Sequence, residues 1–254
     1  MSAAPPLAGP ADHEAAAALA EGAGALLQRL RESWDGDGRE LGRSGDAAAN
    51  QLLMAELAHR FPDDAVLSEE TVDDGRRLRA RRAWIIDPLD GTREFAEPGR
   101  ADWAVHVALV AAGQVIAAAV ALPAQRLLLS TGRPVPASRL GAPVHRIAVS
   151  RTRPPELAGA LAEALGADLV AMGSAGAKTA AVVLGAVDAY VHAGGQLQWD
   201  SAAPVGVALA AGLHASRLDG SALIYNQRDV SMPDLLVCRP EMAASLLAEI
   251  ARLR

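Results

Sequence analysis

The chain has 254 residues, of which 51% are hydrophobic and only 3% aromatic, enough apolar material for one large domain or two compact halves of roughly 125 residues each. Its 24 basic against 30 acidic residues give a net charge of −6, so no chain-wide positive field exists to hold a nucleic-acid polymer or an anionic membrane. A single cysteine, Cys238, excludes a disulfide framework and a thiolate zinc cluster and makes a reducing, cytoplasmic compartment the default.

Met1 to Pro10 carries no basic leader, so no signal peptide is expected. From Asp12 to Trp34 apolar residues recur every three or four positions behind a capping Asp12, the pattern of an amphipathic helix, and Asp46 to Phe61 repeats it. Between them Asp35 to Gly45 holds four glycines and several charges and reads as a loop or hairpin. Ala65 to Leu67 and Ala83 to Ile86 are short β-type runs that end directly in acidic residues. Trp103 to Val110 and Val115 to Leu122 flank Ala-Ala-Gly-Gln as a hairpin, and Arg126 to Ser130 supplies a third antiparallel strand. Both apolar runs fall short of the ~20 residues of a membrane helix.

Beyond the Pro- and Gly-containing segment Gly132 to Pro143, the pattern alternates. Strands are expected at Arg146 to Val149, Asp168 to Met172 and Asp188 to His192, and helices at Pro155 to Leu165, Ala175 to Leu184 and Asp200 to Ala211. That order implies a parallel or mixed sheet with helices on its faces. Leu235 to Cys238 is a last strand, and Pro240 opens a closing helix to Arg252. The expected division is an α+β part, residues 1–135, and an α/β part, residues 136–254.

The sharpest chemical feature is Trp84-Ile-Ile-Asp87-Pro88-Leu89-Asp90-Gly91-Thr92-Arg93-Glu94-Phe95. A β-run delivers two carboxylates three residues apart, and Pro88 fixes one φ between them, so a turn can aim both at one point while exposing the Leu89 carbonyl. Hard oxygen ligands suit Mg²⁺. Gly91 lets the backbone approach a ligand, and the amides of Gly91 and Thr92 open a helix suited to phosphate. Phospho-aspartyl chemistry of the haloacid-dehalogenase type is disfavoured, because the position two before Asp90 is Pro88 rather than the nucleophilic Asp. Val66-Leu-Ser-Glu69-Glu70 adds two acids at a strand end; by strand alternation only one faces the turn, and Glu69 is chosen. Asp200, in Trp199-Asp-Ser-Ala-Ala, stands where a helix N-cap or a metal ligand is expected.

Ser-Glu-Glu, Asp-Pro-Leu-Asp-Gly-Thr and Trp-Asp-Ser-Ala-Ala, in this order, resemble the Mg²⁺-dependent, Li⁺-inhibited phosphomonoesterase superfamily of inositol monophosphatases, fructose-1,6-bisphosphatases and 3′(2′),5′-bisphosphate nucleotidases. The resemblance spans Asp12 to the C-terminus and implies a layered αβαβα sandwich of the sugar-phosphatase type with its site between the halves. Gly91-Thr-Arg-Glu-Phe and Gly173-Ser174-Ala-Gly-Ala-Lys178, which holds the only lysine of the chain, look like the nucleotidase branch (CysQ-type).

By that likeness Glu69, Asp87 and the Leu89 carbonyl would hold one Mg²⁺, Asp87, Asp90 and Asp200 a second, and Asp46 with Glu69 a weaker third. Glu69, Thr92 and Asp46 would activate water. Leu89, Asp90, Gly91, Thr92, Arg93, Ser174, Lys178 and Asp200 would meet the substrate. The implied reaction removes the 3′-phosphate of 3′-phosphoadenosine 5′-phosphate, or of its sulfated form in sulfur assimilation, without a covalent intermediate, in a homodimer. Inositol or fructose bisphosphate phosphatase activity, or a non-catalytic phospho-metabolite sensor, are the alternatives.

One departure stands out. Counting back from Asp46, Leu41 occupies the position of an Asp that nucleotidases of this kind carry and Arg43 that of a threonine; Asp35 or Asp37 are the nearest replacements. The six histidines form no i, i+4 pair and are read as surface or satisfied core residues. Tyr225-Asn226-Gln227 reads as a plain turn or a nucleoside contact.

Overall fold

The computed structural model describes residues 8–138 and 144–254. The first seven residues, and with them most of the N-terminal segment read above, lie outside this description, as does the end of the Gly132–Pro143 connection.

Two long helices, α1 (Pro10–Ser33) and α2 (Gly38–Arg60), precede a five-stranded sheet. Its strands are β1 (Ala65–Ser68), β2 (Arg82–Asp90), β3 (Ala104–Ala111), β4 (Gln114–Leu122) and β5 (Leu127–Ser130), paired in sequence order, with a short helix α3 (Thr92–Ala96) between β2 and β3. β1 runs parallel to β2 and the other pairs are antiparallel. The second sheet has the order β7-β6-β8-β10-β9, from β6 (Arg146–Ser150), β7 (Asp168–Met172), β8 (Ala189–Leu197), β9 (His214–Ser216) and β10 (Ser231–Cys238). It is mixed: β6 is parallel to β7 and β8, while β10 is antiparallel to β8 and β9. The helices of this part are α4 (Glu156–Leu165), α5 (Ala175–Val183), α6 (Gln198–Ala210) and α7 (Pro240–Leu253).

Strand alternation sorts the side chains into layers. Trp84, Ile86, Val105 and Val107 turn to one face of the first sheet and pack with Leu19, Leu27, Leu53 and Leu57 of α1 and α2. Ile85, Ala104, Ala108 and Val120 turn to the other and join Val182 of α5, Val205 of α6, and Tyr190 and Leu235 of the second sheet. The far face of that sheet is covered by Leu161 of α4 and Leu246 and Ile250 of α7. The order helices, sheet, helices, sheet, helices is the expected αβαβα sandwich. Because α5 and α6 are pressed between two sheets, they require small residues: a Cβ on Gly206 would lie 2.7 Å from both Ala118 Cβ and Val115 Cγ1. The alanine richness and scarcity of aromatics follow from that tight middle layer.

Three expectations are corrected. Asp35 to Gly45 is not a loop, since α2 begins at Gly38 behind Asp37, whose carboxylate accepts the Arg39 N–H at 3.2 Å. Its glycines serve close packing rather than a turn: a Cβ on Gly42 would sit 2.8 Å from Thr92 Cγ2, and one on Gly45 2.8 Å from Phe95 Cε1. β2 does not stop at Ile86 but runs through the Asp-Pro-Leu-Asp segment, with a bulge between Asp87 and Asp90 that accommodates Pro88. The three-residue strand β9, too short for any periodic signal, was not expected. No helix among the described residues is long and apolar enough to cross a membrane.

Candidate metal centre and active site

β2 carries Asp87 and Asp90 onto its inner face, the face of Ile85, where α5 and α6 lie. Asp87 Oδ1 accepts the Leu89 N–H at 3.1 Å, while its Oδ2 is buried and finds no hydrogen-bond partner among the described residues. Gly91, at φ +90°, reverses the chain into α3, a conformation that favours glycine. The first residue of that helix, Thr92, places Oγ1 3.3 Å from the Leu89 carbonyl and 3.5 Å from Asp46 Oδ1 on α2. From the second half α6 brings Asp200, one oxygen of which accepts the Leu197 N–H at 2.6 Å. Capping and site-forming are therefore both open to this residue, through different oxygens.

The electrostatics show how close these groups stand. Burial, followed by the charges of Asp90, Glu69 and Asp200, pushes Asp87 well above the ordinary carboxylate range. Burial and then Asp90 lift Asp200 to about 7. Burial is also the main cause at Glu69, lifted to about 7 with help from the charges of Asp90, Asp46 and Glu70, and at Asp46, lifted to about 7 with help from Glu70. A cluster of carboxylates that raise one another in this way is electrostatically incomplete without a cation. The orphaned Asp87 Oδ2 and the oxygen donor set fit a hard divalent ion such as Mg²⁺.

Glu69, Asp46, Asp87, Asp90 and Asp200, with the Leu89 carbonyl, Gly91 and Thr92, are thus brought to one place from α2, the turn after β1, β2, the start of α3 and α6. The choice between Glu69 and Glu70 is corrected in part. β1 ends at Ser68, so strand alternation does not apply to the two glutamates, and Glu70 acts on Asp46 as well as on Glu69. Leu41 is buried in the core, so it leaves the position in α2 without a carboxylate, while Asp37 caps α2 through one oxygen and lines the same cavity as Thr92.

Ser174 is turned inward, toward Asp90. It is fully buried, its hydroxyl donating to Asp90 Oδ2 at 2.6 Å and accepting the Ala177 N–H at 3.0 Å. Lys178 is 3% exposed; its ammonium donates to the Gly173 carbonyl and lies 5.1 Å from the Tyr190 ring centre, with Asp90, Glu94 and Asp200 as surrounding charges. Arg93 is exposed and, with Arg39, Arg43 and Thr92, lines a cavity of about 490 Å³ beside the cluster. Glu94 is buried and pairs with Arg151 Nη2 at 2.8 Å, joining α3 to the end of β6. Asn226 is bound rather than free for a nucleoside: its side chain accepts from Arg77 Nη1 at 2.9 Å and donates to the Arg77 carbonyl at 3.0 Å.

His106 was missed. It stands opposite Asp87 in the β2–β3 register, fully buried, with Nε2 3.3 Å from Asp90 Oδ2 and Nδ1 3.2 Å from the Trp199 carbonyl. Atoms of Asp87, Asp90 and His106 lie within 4.8 Å of one another. Burial holds its ring below the ordinary histidine range. Its place on the inner face of a strand paired with the acidic one was the available signal.

A family model described as "Inositol monophosphatase family" matches residues 11–253. The chain belongs to the inositol monophosphatase family. Within it, this phosphatase is 53% identical over 252 residues to a protein of Mycobacterium leprae named 3′-phosphoadenosine 5′-phosphate phosphatase, covering 94% of this chain and 93% of that one. A Mycobacterium tuberculosis protein of the same name is 54% identical over 240 residues, covering 90% and 89%. Among solved structures, CysQ from Bacteroides thetaiotaomicron superposes with a TM-score of 0.80 at 23% identity, over 91% of this chain and 97% of that one, a likeness of fold. The phosphatase is a hydrolase of this family, and its clustered acids are those that a metal ion can occupy.

Proposed function

We propose that the protein is a Mg²⁺-dependent phosphomonoesterase that removes the 3′-phosphate of 3′-phosphoadenosine 5′-phosphate, and of its sulfated form. The observation that carries this reading is the convergence of Glu69, Asp87, Asp90 and Asp200 into one cluster whose carboxylates oppose one another's ionisation. The names of the mycobacterial relatives support the choice of substrate.

Glu69, Asp87 and the Leu89 carbonyl would hold one ion, Asp87, Asp90 and Asp200 a second, and Asp46 with Glu69 a third. Bound there, Mg²⁺ supplies positive charge to the phosphoryl group and makes a water molecule acidic near neutrality. The chain's own residues do the rest. Asp46 orients the Thr92 hydroxyl, and Thr92, Asp46 and Glu69 take the proton of the attacking water. The amides of Gly91 and Thr92, at the start of α3, face phosphoryl oxygens. Lys178 acts through its charge from beneath the surface rather than by contact. Arg93, exposed on the same cavity as Arg39 and Arg43, would meet a second anionic group.

The division at residues 135 and 136 is proposed as functional, the first part carrying most ligands and the second closing the site with Asp200. A cytoplasmic homodimer sensitive to Li⁺ completes the proposal. Phosphate release is measured from 3′-phosphoadenosine 5′-phosphate, inositol 1-phosphate and fructose 1,6-bisphosphate at saturating Mg²⁺, with and without millimolar Li⁺. Fastest kcat/KM on the adenosine bisphosphate, suppressed by Li⁺, is expected; preference for either sugar phosphate would reassign the substrate.

A further inference from the structure

We propose that Ser174, together with the backbone N–H of Gly176, is a positioning device for Asp90: it holds the outer oxygen of that carboxylate so that only the other is presented to the cation. The inference rests on the metal reading above. Asp90 Oδ2 accepts the Ser174 hydroxyl at 2.6 Å and the Gly176 N–H at 3.1 Å, and the His106 ring stands 3.3 Å from the same oxygen. Two donors are thus fixed on this one oxygen of Asp90. Asp90 is therefore a one-oxygen ligand whose direction is set by the second half of the chain.

Ser174 is engaged on both sides. Its hydroxyl proton is donated to Asp90, and one of its lone pairs accepts the Ala177 N–H as the N-cap of α5. The residue is fully buried, so no substrate atom reaches it. The Gly176 amide approaches so closely because it has no side chain. A Cβ there would collide with the His106 ring and lie 2.9 Å from Val120 Cγ1 and 3.0 Å from Ala104 Cβ. Asp90 comes from the first sheet and Asp200 from α6, so a clamp from α5 on Asp90 also sets the separation of two ligands carried by different halves. Outer hydrogen bonds of this kind orient metal ligands, and their loss typically weakens metal affinity or activity by roughly 10- to 100-fold.

The test is calorimetric titration of the metal-free protein with Mn²⁺, run on wild type and on Ser174→Ala, Ser174→Gly, Ser174→Thr and Asp90→Asn. Glycine caps a helix to within a few tenths of a kcal/mol of serine, so Ser174→Gly removes the clamp while largely sparing α5. Ser174→Ala and Ser174→Gly are both expected to bind Mn²⁺ about tenfold or more weakly, with Ser174→Thr close to wild type. The metal-free thermal midpoint of Ser174→Gly should stay near that of wild type, and the Mg²⁺ requirement of phosphate release should shift more than KM for substrate. Wild-type Mn²⁺ affinity in Ser174→Ala and Ser174→Gly, or a change confined to KM, overturns the clamp while Asp90→Asn still loses metal. If Asp90→Asn also binds Mn²⁺ like wild type, the metal reading fails and the clamp with it.

Discussion

Two kinds of carboxylate occur in this chain, and their surroundings push them in opposite directions. Asp87, Asp200, Glu69 and Asp46 are raised because burial and one another's charge oppose ionisation. Asp234 is held down to about 2, although burial opposes this, because it accepts from Arg217 at 2.7 Å, from the Leu218 N–H at 2.8 Å and from Arg254 at 3.0 Å. The first group is costly to the fold as it stands; the second ties the C-terminus to β10. A carboxylate whose folded pKa lies below its unfolded value contributes stability above the unfolded value and loses it as pH falls through the folded one. Asp234→Asn should therefore be less stable than wild type at pH 7, and the difference should shrink as pH falls from about 4 toward 2. Denaturant midpoints across that range check this; a difference that does not change with pH would show that packing, not charge, is what Asp234 supplies.

At the scale of elements, what the sequence made legible follows periodicity and turn chemistry. The five-residue β7 and the Pro240-led α7 follow those signals directly, as does the β3–β4 hairpin, turning at Ala112 and Gly113 with φ of 50° and 79°. The start of α2 was not legible, because glycine signals a turn in sequence and a close approach in space, and only the second applies at Gly42 and Gly45. The same ambiguity hid the contact of Gly176 with His106. Glu69, Asp87 and Asp90 were legible as a group because they stand in short acidic motifs at the ends of β-runs. Ser174, by contrast, belongs to a motif suggestive of phosphate and turns its hydroxyl to Asp90, a residue 84 positions away. Gly45→Ala should destabilise by roughly 1–3 kcal/mol through overpacking, despite the better helix propensity of alanine, since its Cβ would lie 2.8 Å from Phe95 and 3.0 Å from Leu89. Gly22→Ala in α1, with nothing within 4 Å, should stabilise by about 0.5–1 kcal/mol. Urea unfolding of the two variants decides whether packing or propensity governs these glycines.

Across the whole molecule, the two sheets grip a shared layer of small-residue helices, and the site forms where that layer meets the end of β2. Asp90 and Asp200 reach it from opposite halves, linked through α5 and α6 in one continuous hydrophobic cluster. Such an arrangement keeps acids from distant stretches in register without a disulfide. It also makes function depend on the joint: Arg77, in the loop after Glu70, is bound to Asn226, and Gln198 at the start of α6 accepts the Asn226 N–H at 2.6 Å. The claim that acids from both halves form one catalytic metal centre is tested most directly by phosphate release from 3′-phosphoadenosine 5′-phosphate at saturating Mg²⁺ in wild type and Asp200→Asn. The predicted result is a loss of kcat beyond the roughly 100-fold expected for an outer partner, with the folded state retained in metal-free buffer; near-normal turnover in Asp200→Asn would contradict it.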